Sequence, residues 1–411
     1  MQPLKSPKGL QKLSNEFEVH CNQDAAKRCI VFSKLVLRSL NVWPDNEDPK
    51  KYWLMMVVIV SVFTMGMAHF AYVIINLAQI TKMTTACTTV LVSFECIAKL
   101  LTMIHYRAEL NRILTSIWLD FWPVNMVKQS LQREISFRSN YVTVVGVAFL
   151  CMAFFSNAQF MMFPLVHNLS ELPLASWYPF NFRVSPLYEM MYIWQWFMNQ
   201  VIITTLSGFD AFFNAIVMIC ATQFQILQNV LENIGKHHRM RQWNVIKHFG
   251  DLVDKQRSSF EMRMLVKCIK HHLNLIEICD SLETIFAHIV FMQFVVSASA
   301  MCVSCVALIA DPDVWQHMLS YLIAHVFQFF IYCSVGSELT YQSGQIAESA
   351  YDCNWEASQD NDFRRALVMI ILRAQKPMEL TVAGLMQLSY ANFIGTVQLS
   401  FSFYVLLDSL V

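Results

Sequence analysis

Seven apolar stretches, nearly free of charge, decide what this chain can fold into; they lie near 52–75, 83–104, 141–163, 190–220, 284–310, 315–336 and 384–407. A bilayer core of about 30 Å is crossed by about 20 helical residues at about 1.5 Å each. In hydrocarbon the backbone must satisfy its own hydrogen bonds, so runs of this length read as helices. Charged residues make up only 15% of the chain, against roughly 25% in soluble domains. The expected fold class is an all-α membrane protein with seven transmembrane helices.

The placement of lysine and arginine orients those helices. The segments before span one, between two and three, between four and five, and between six and seven hold 27 of them, and the alternate segments hold 2. Positive charge stays in the cytoplasm, so the N-terminus is expected inside and the C-terminus outside. This is the reverse of a G-protein-coupled receptor. Asn168-Leu169-Ser170, the one N-x-S/T sequon, falls in the 164–189 loop assigned outside, which makes Asn168 the glycosylation candidate. Residues 1–28 lack the apolar core of a cleavable signal, and span one is expected to act as its own insertion signal. The organisation is then a cytoplasmic segment 1–51, spans one to four in 52–220, a cytoplasmic extension 221–283, spans five and six in 284–336, a cytoplasmic anchor 337–383, and the last span in 384–411.

Particular residues carry further information. The final apolar run, 380–407, is uncharged, and Asn392, Gly395, Gln398, Leu399, Ser402 and Leu406 share one helical face. A small, polar stripe suits a helix that lines a water path or packs on copies of itself. In span two, Glu95 and Lys99 stand four apart in the favourable order for an ion pair, read here as structural. The run from 190 to 231 carries one charge, Asp210, and outlasts a bilayer. Asp210 is expected at the cytoplasmic boundary, with the remainder packing on helices drawn from 232–280. Trp177, Tyr178 and Phe180 in the 164–189 loop suit either an interfacial belt or a pocket cap. Residues 363–375 read as a short amphipathic helix with Phe363, Leu367, Ile370 and Ile371 on one side, stopped by Pro377.

Reaction chemistry has no candidate. The chain has no P-loop, GxSxG or HExxH, so no enzyme activity, cofactor or metal is expected. The pairs His237/His238 and His271/His272 point about 100° apart on a helix and lack completing ligands. None of the twelve cysteines lies in an outer loop, so no disulfide framework is expected. The basic residues follow topology rather than a nucleic-acid footprint.

The C-terminal third carries a resemblance. YCSVGSELTYQSGQIAESAYDCNW from Tyr332, then RRALVMIILRAQKPMELTVAGLMQLSYANFIGTVQLSFSFYVLL from Arg364, resembles the signature of insect odorant receptors. The specific pieces are Gly336-x-Glu338, Tyr351-x-x-x-Trp355 and Arg373-Ala374-Gln375-Lys376-Pro377, with Leu282-Glu283 ahead of span five. The resemblance implies a subunit of a tetrameric ligand-gated cation channel in the plasma membrane of olfactory neuron dendrites. The last span would line the pore, and the cytoplasmic helices would anchor the subunits. Small volatile odorants would bind in the outer half of the bilayer. Carried onto this chain, the ligand-binding candidates are Thr88 and Leu91 on span two, and Phe155, Gln159 and Met162 on span three. Span four offers Trp196, Gln200 and Ile203, and span six Tyr321 and His325.

In the same framework Asn392, Gly395, Leu399, Ser402 and Leu406 are the pore and gate candidates, with the two leucines able to close a dewetted ring. The family's usual Ser-Tyr pair is Ser402-Phe403 here. The long insertion that the co-receptor Orco carries between spans four and five is missing, so the chain resembles a tuning subunit that assembles with Orco in a heterotetramer. A gustatory receptor would show a Thr-Tyr…Gln-Phe pattern where this chain reads Thr396-Val397-Gln398-Leu399. A secondary transporter would show internal repeats and broken helices.

Overall fold

The structure, a computed structural model, describes residues 27–44, 49–166, 172–234, 257–310, 315–358 and 360–408. Its helices are α1 (Cys29–Ser39), α2 (Pro49–Ile75), α3 (Ile80–His105), α4 (Arg107–Leu119), α5 (Gln129–Val166), α6 (Leu187–Leu231), α7 (Arg257–Ala310), α8 (Trp315–Gly344), α9 (Ile346–Tyr351), α10 (Asn361–Ala374) and α11 (Tyr390–Asp408). Among the described residues there is no strand, only an isolated antiparallel bridge between Thr381 and Gln387. Among the described residues six helices (α2, α3, α5, α6, α7 and α8) are long and apolar enough to cross a membrane. The seventh span is α11, nineteen residues with Asp408 as its one charge.

The bundle is built around α6. Every residue from Thr205 to Leu231 except Gln228 is buried, so its lower half touches protein on all sides. That explains a 45-residue helix without lysine or arginine: its excess length is covered by α1, α5, α7 and α8 rather than by lipid. The α1 helix buries Cys29, Ile30, Ser33, Val36 and Leu37 on one stripe, close against Gly208 of α6. A Cβ at Gly208 would stand 2.7 Å from Val36 Cγ1, so the missing side chain sets how near the two helices lie.

The amphipathic segment expected at 363–375 is α10. Asp360 accepts from the backbone N–H of Asp362 and Phe363 as its N-cap, and the helix buries Phe363, Leu367, Ile370 and Ala374. The pieces of the C-terminal signature each make local contacts. The Tyr351 and Trp355 rings lie 6.1 Å apart, Arg373 donates to the Lys376 carbonyl, and Glu338 pairs with Arg138 of α5.

One expectation is corrected. The last span begins at Tyr390, not near 384. Residues 380–388 instead fold back on themselves, with Leu388 N–H donating to the Leu380 carbonyl and Val382 N–H to that of Met386, both at 2.8 Å. Ala383 at φ +50° and Gly384 at φ +76° make the reversal. Hydropathy cannot tell an apolar turn from an apolar helix, so the boundary was invisible to it. Asp210, expected at the cytoplasmic boundary, is enclosed by protein. It is buried in the bundle, 2.5 Å from Lys99 Nζ.

The turn at 380–388 sits against α7 and α8. Glu283 of α7 accepts from the backbone N–H and hydroxyl of Thr381. Gly336 of α8 faces Leu388 so closely that an added Cβ would stand 2.7 Å from its carbonyl oxygen. The backbone N–H of Tyr390 donates to Ser337 at 3.0 Å, which positions the first turn of α11 on α8.

Candidate functional site

A cavity of about 570 Å³ opens among α2, α3, α5, α6 and α8, at the end of the bundle that carries residues 172–183. Its size is that of a small-molecule site. Its walls are mostly apolar, with Met65, Val92, Phe149, Phe160, Ile202 and Leu206 prominent, and among the described residues no carboxylate lines it.

The segment after α5 is folded into this cavity as a wall. Gln195 of α6 clasps its backbone on both sides, accepting from Leu174 N–H and donating to the Leu174 carbonyl, each at 3.1 Å. His69 Nδ1 of α2 lies 2.9 Å from the Ala175 carbonyl, and Trp177 N–H donates to the Ala68 carbonyl at 3.0 Å. Leu172 and Leu174 are buried by these clasps, while Trp177 and Phe180 stay exposed. The Tyr178 ring stacks on Phe180, so these aromatics cap the wall from outside. Amides tie α5 to α6 through Asn157 and Asn199, and Ser320 of α8 donates to Gln159 of α5 at 2.6 Å.

The floor is polar. Gln328 of α8 reaches from the cavity wall to Asp210, 2.6 Å away. Asp210 also accepts from the Tyr332 hydroxyl at 2.6 Å and from Lys99 Nζ at 2.5 Å. The Lys99 ammonium completes its contacts with Glu95 at 2.7 Å and the Gln293 side-chain carbonyl at 2.9 Å. Its charge is further held over the faces of Phe209 and Tyr332. One buried cation therefore joins α3, α6 and α7, and α8 is joined through Asp210.

Four of the residues picked from the sequence stand on the cavity wall: Thr88, Ile203, Tyr321 and His325. Phe155, Met162 and Trp196 instead point outward and are exposed on the single chain, and Leu91, Gln159 and Gln200 lie part-buried beside the wall. On α5 the inward face is Phe149, Ala153, Ser156, Asn157, Phe160 and Pro164, which at 3.6 residues per turn lies roughly 140° round the helix from the face chosen. Sequence reasoning passed over α2, which supplies His69, and in the 172–183 segment it weighed Trp177, Tyr178 and Phe180 as a cap but not Ser176 and Phe182. A histidine in an otherwise apolar span was the available signal.

On α11, Thr396 and Ser400 face inward, and Phe393 packs on Phe329 and Phe330 of α8 at 5.9 and 5.4 Å. Gly395, Gln398, Leu399 and Ser402 face out of the single chain, Leu399 being 54% exposed. No atom lies within 4 Å of the position a Cβ would take on Gly395. Asn392 caps the preceding turn by donating to the Gln387 carbonyl, and the Leu406 side chain lies outside the described residues. Asn168 and the pair His237/His238 also fall outside them. His271 stacks on Trp122 at 4.2 Å and bonds Gln223, a packing role.

The model of the 7tm odorant receptor family matches residues 79–401. The chain belongs to the odorant receptor family. Among its relatives, odorant receptor 82a of Drosophila melanogaster is 24% identical over 367 residues, covering 83% of this chain and 87% of that protein. Odorant receptor 10 of Aedes albopictus is 21% identical over 327 residues, covering 76% and 80%. The fold is that of the insect olfactory receptor OR5 from Machilis hrabei, solved in complex with eugenol. The two superpose with a TM-score of 0.80 at 15% identity, over 96% of this chain and 99% of that one. This odorant receptor is accordingly a multi-pass, seven-helix membrane protein, and its family is one of receptors rather than enzymes.

Proposed function

We propose that this odorant receptor is the odorant-binding subunit of a ligand-gated cation channel that it forms with Orco in a heterotetramer. The chain sits in the dendritic plasma membrane of olfactory neurons, N-terminus inside. The observation that carries the reading is the 570 Å³ cavity whose α8 wall continues directly into α11 contacts. Tyr321, His325 and Gln328 face the cavity, and the next two residues of the same helix, Phe329 and Phe330, pack on Phe393. An odorant that favours one position of α8 thereby favours one position of α11.

The pore would be lined by the face of α11 that the single chain leaves open, with Asn392, Gly395 and Ser402 in the wall and Leu399 and Leu406 as hydrophobic constrictions. Leu399 in water on a lone subunit is an exposed apolar residue; in a ring of four subunits it dewets a passage. The 27-to-2 bias of lysine and arginine supports the inside placement of the N-terminus. Odorant-evoked cation current from cells expressing both chains, and none from this chain alone, is the expected result. Robust current from this chain alone removes the obligate partner.

A further inference from the structure

Gln328 stands where the cavity floor meets the buried charge cluster, and the two ends of its amide have different surroundings. Nε2 donates to Asp210 Oδ2 at 2.6 Å and to Gln293 Oε1 at 3.1 Å. Both neighbours are acceptors. Asp210 also takes the Tyr332 hydroxyl and the Lys99 ammonium, and Gln293 Oε1 takes a further proton from Lys99 at 2.9 Å. The amide of Gln328 therefore has one sense only, with its nitrogen on the cluster and its oxygen turned away.

That oxygen accepts no hydrogen bond from the described residues. It is also open. His69 Nε2, Asn157 Nδ2, Ser207 Oγ and His325 Nδ1 belong to the same lining and are unpaired, but each is sealed from a water-sized probe. Gln328 Oε1 is unpaired without being sealed, and Gln328 lines the cavity, so the cavity is where this oxygen finds a partner. An amide whose N–H is held by a carboxylate is polarised towards its oxygen, which makes that oxygen a better acceptor. Thr89, part-exposed on the α3 wall, has given its own proton to the Ala86 carbonyl at 2.8 Å and likewise presents lone pairs. The residues that follow Gln328 are Phe329 and Phe330, which hold Phe393 of α11. A molecule bound at this oxygen thus bears on the part of α8 that touches α11.

We infer that Gln328 is the polar subsite of the cavity, its Oε1 receiving the O–H of a small apolar alcohol or phenol whose hydrocarbon part fills the walls. This deepens the odorant-site reading above and rests on it. A methyl ether or hydrocarbon of the same shape fills the walls but leaves the oxygen unpaired. Sites with an acceptor of this kind reject analogues that lack the matching donor.

The test uses the full chain with its co-receptor in oocytes. Benzyl alcohol, geraniol, menthol and a wider set of volatile alcohols are each compared with their methyl ethers and parent hydrocarbons. The expected result is alcohols activating at roughly tenfold lower concentration than their ethers. Gln328→Met keeps the side chain's length and removes the amide, so the alcohol-to-ether ratio should fall towards one. A merely structural effect of the substitution shifts both members of each pair alike and leaves the ratio where it was. Gln328→Asn withdraws the amide by one methylene and should lower the ratio in the same direction; it carries the comparison if surface labelling shows the methionine variant retained inside the cell. Activators with no alcohol advantage, or an advantage unchanged in the variant at the surface, overturn this inference and leave the odorant site standing. No activator in the whole set, with both chains at the surface, removes the odorant site and this inference together.

Discussion

Replacing Lys99 with methionine tests the buried charge cluster beneath the cavity. The ammonium touches three oxygens, on Asp210, Glu95 and Gln293, between 2.5 and 2.9 Å. Methionine fills much of the volume but removes the cation, leaving two carboxylates that no water reaches. Asp210 keeps Tyr332 and Gln328 as donors; Glu95 keeps none that the structure records outside Lys99. Breaking one side of a buried ion pair costs about 3–5 kcal/mol, a factor of roughly 10² to 4 × 10³ in the folded population at about 1.4 kcal/mol per tenfold. The assay is the fraction of detergent-extracted, fluorescently tagged receptor that survives heating as a single species on size exclusion. Lys99→Met should lose most of its monodisperse peak at temperatures the parent tolerates. Adding Glu95→Gln and Asp210→Asn to the same chain removes the orphaned charges and should restore much of the loss. A single variant as stable as the parent, or a triple variant no better than the single, would refute the claim that these groups act as one ion cluster.

Two further substitutions probe α11, the proposed pore helix. Gly336→Ala places a Cβ 2.5 Å from Leu388 Cβ and 2.7 Å from its carbonyl oxygen, so the turn that precedes α11 must shift. The overpacking costs about 1–3 kcal/mol, and evoked current per receptor at the surface should fall sharply; unchanged current would show that the turn moves freely. Leu399→Ala shortens the apolar side chain that the single subunit leaves exposed, and ligand-independent current should rise in co-expressing cells. Unaltered basal and evoked currents would remove Leu399 from the gate.

Helix existence was legible in this sequence, and helix facing was not. The seven spans and α10 could be read because charge is excluded from one and distributed by period in the other. The α5 and α6 helices are apolar almost all round, since lipid on one side and a greasy cavity on the other ask for the same residues. That is why Phe155 and Trp196 could be mistaken for wall residues while Phe149 and Phe160 went unnoticed. The Glu95–Lys99 pair was visible from its four-residue spacing, but Asp210, 111 positions from Lys99, becomes its partner only through tertiary packing. The turn at 380–388 stayed hidden because its residues are as apolar as a span. The α1 stripe of Cys29, Ile30, Ser33, Val36 and Leu37 was present in the sequence, but mixed charge around it masked the period.

The most direct test of the account is odorant-evoked current in cells expressing this receptor with Orco, set against cells expressing either chain alone, under a broad panel of volatile alcohols, ethers, esters and terpenoids. Cation current should appear only with both chains and for a subset of the panel, and that subset should change when Tyr321 or His325 on the cavity wall is substituted. A response spectrum identical to that of Orco alone, with this chain confirmed at the surface, would contradict the proposal that it binds the odorant.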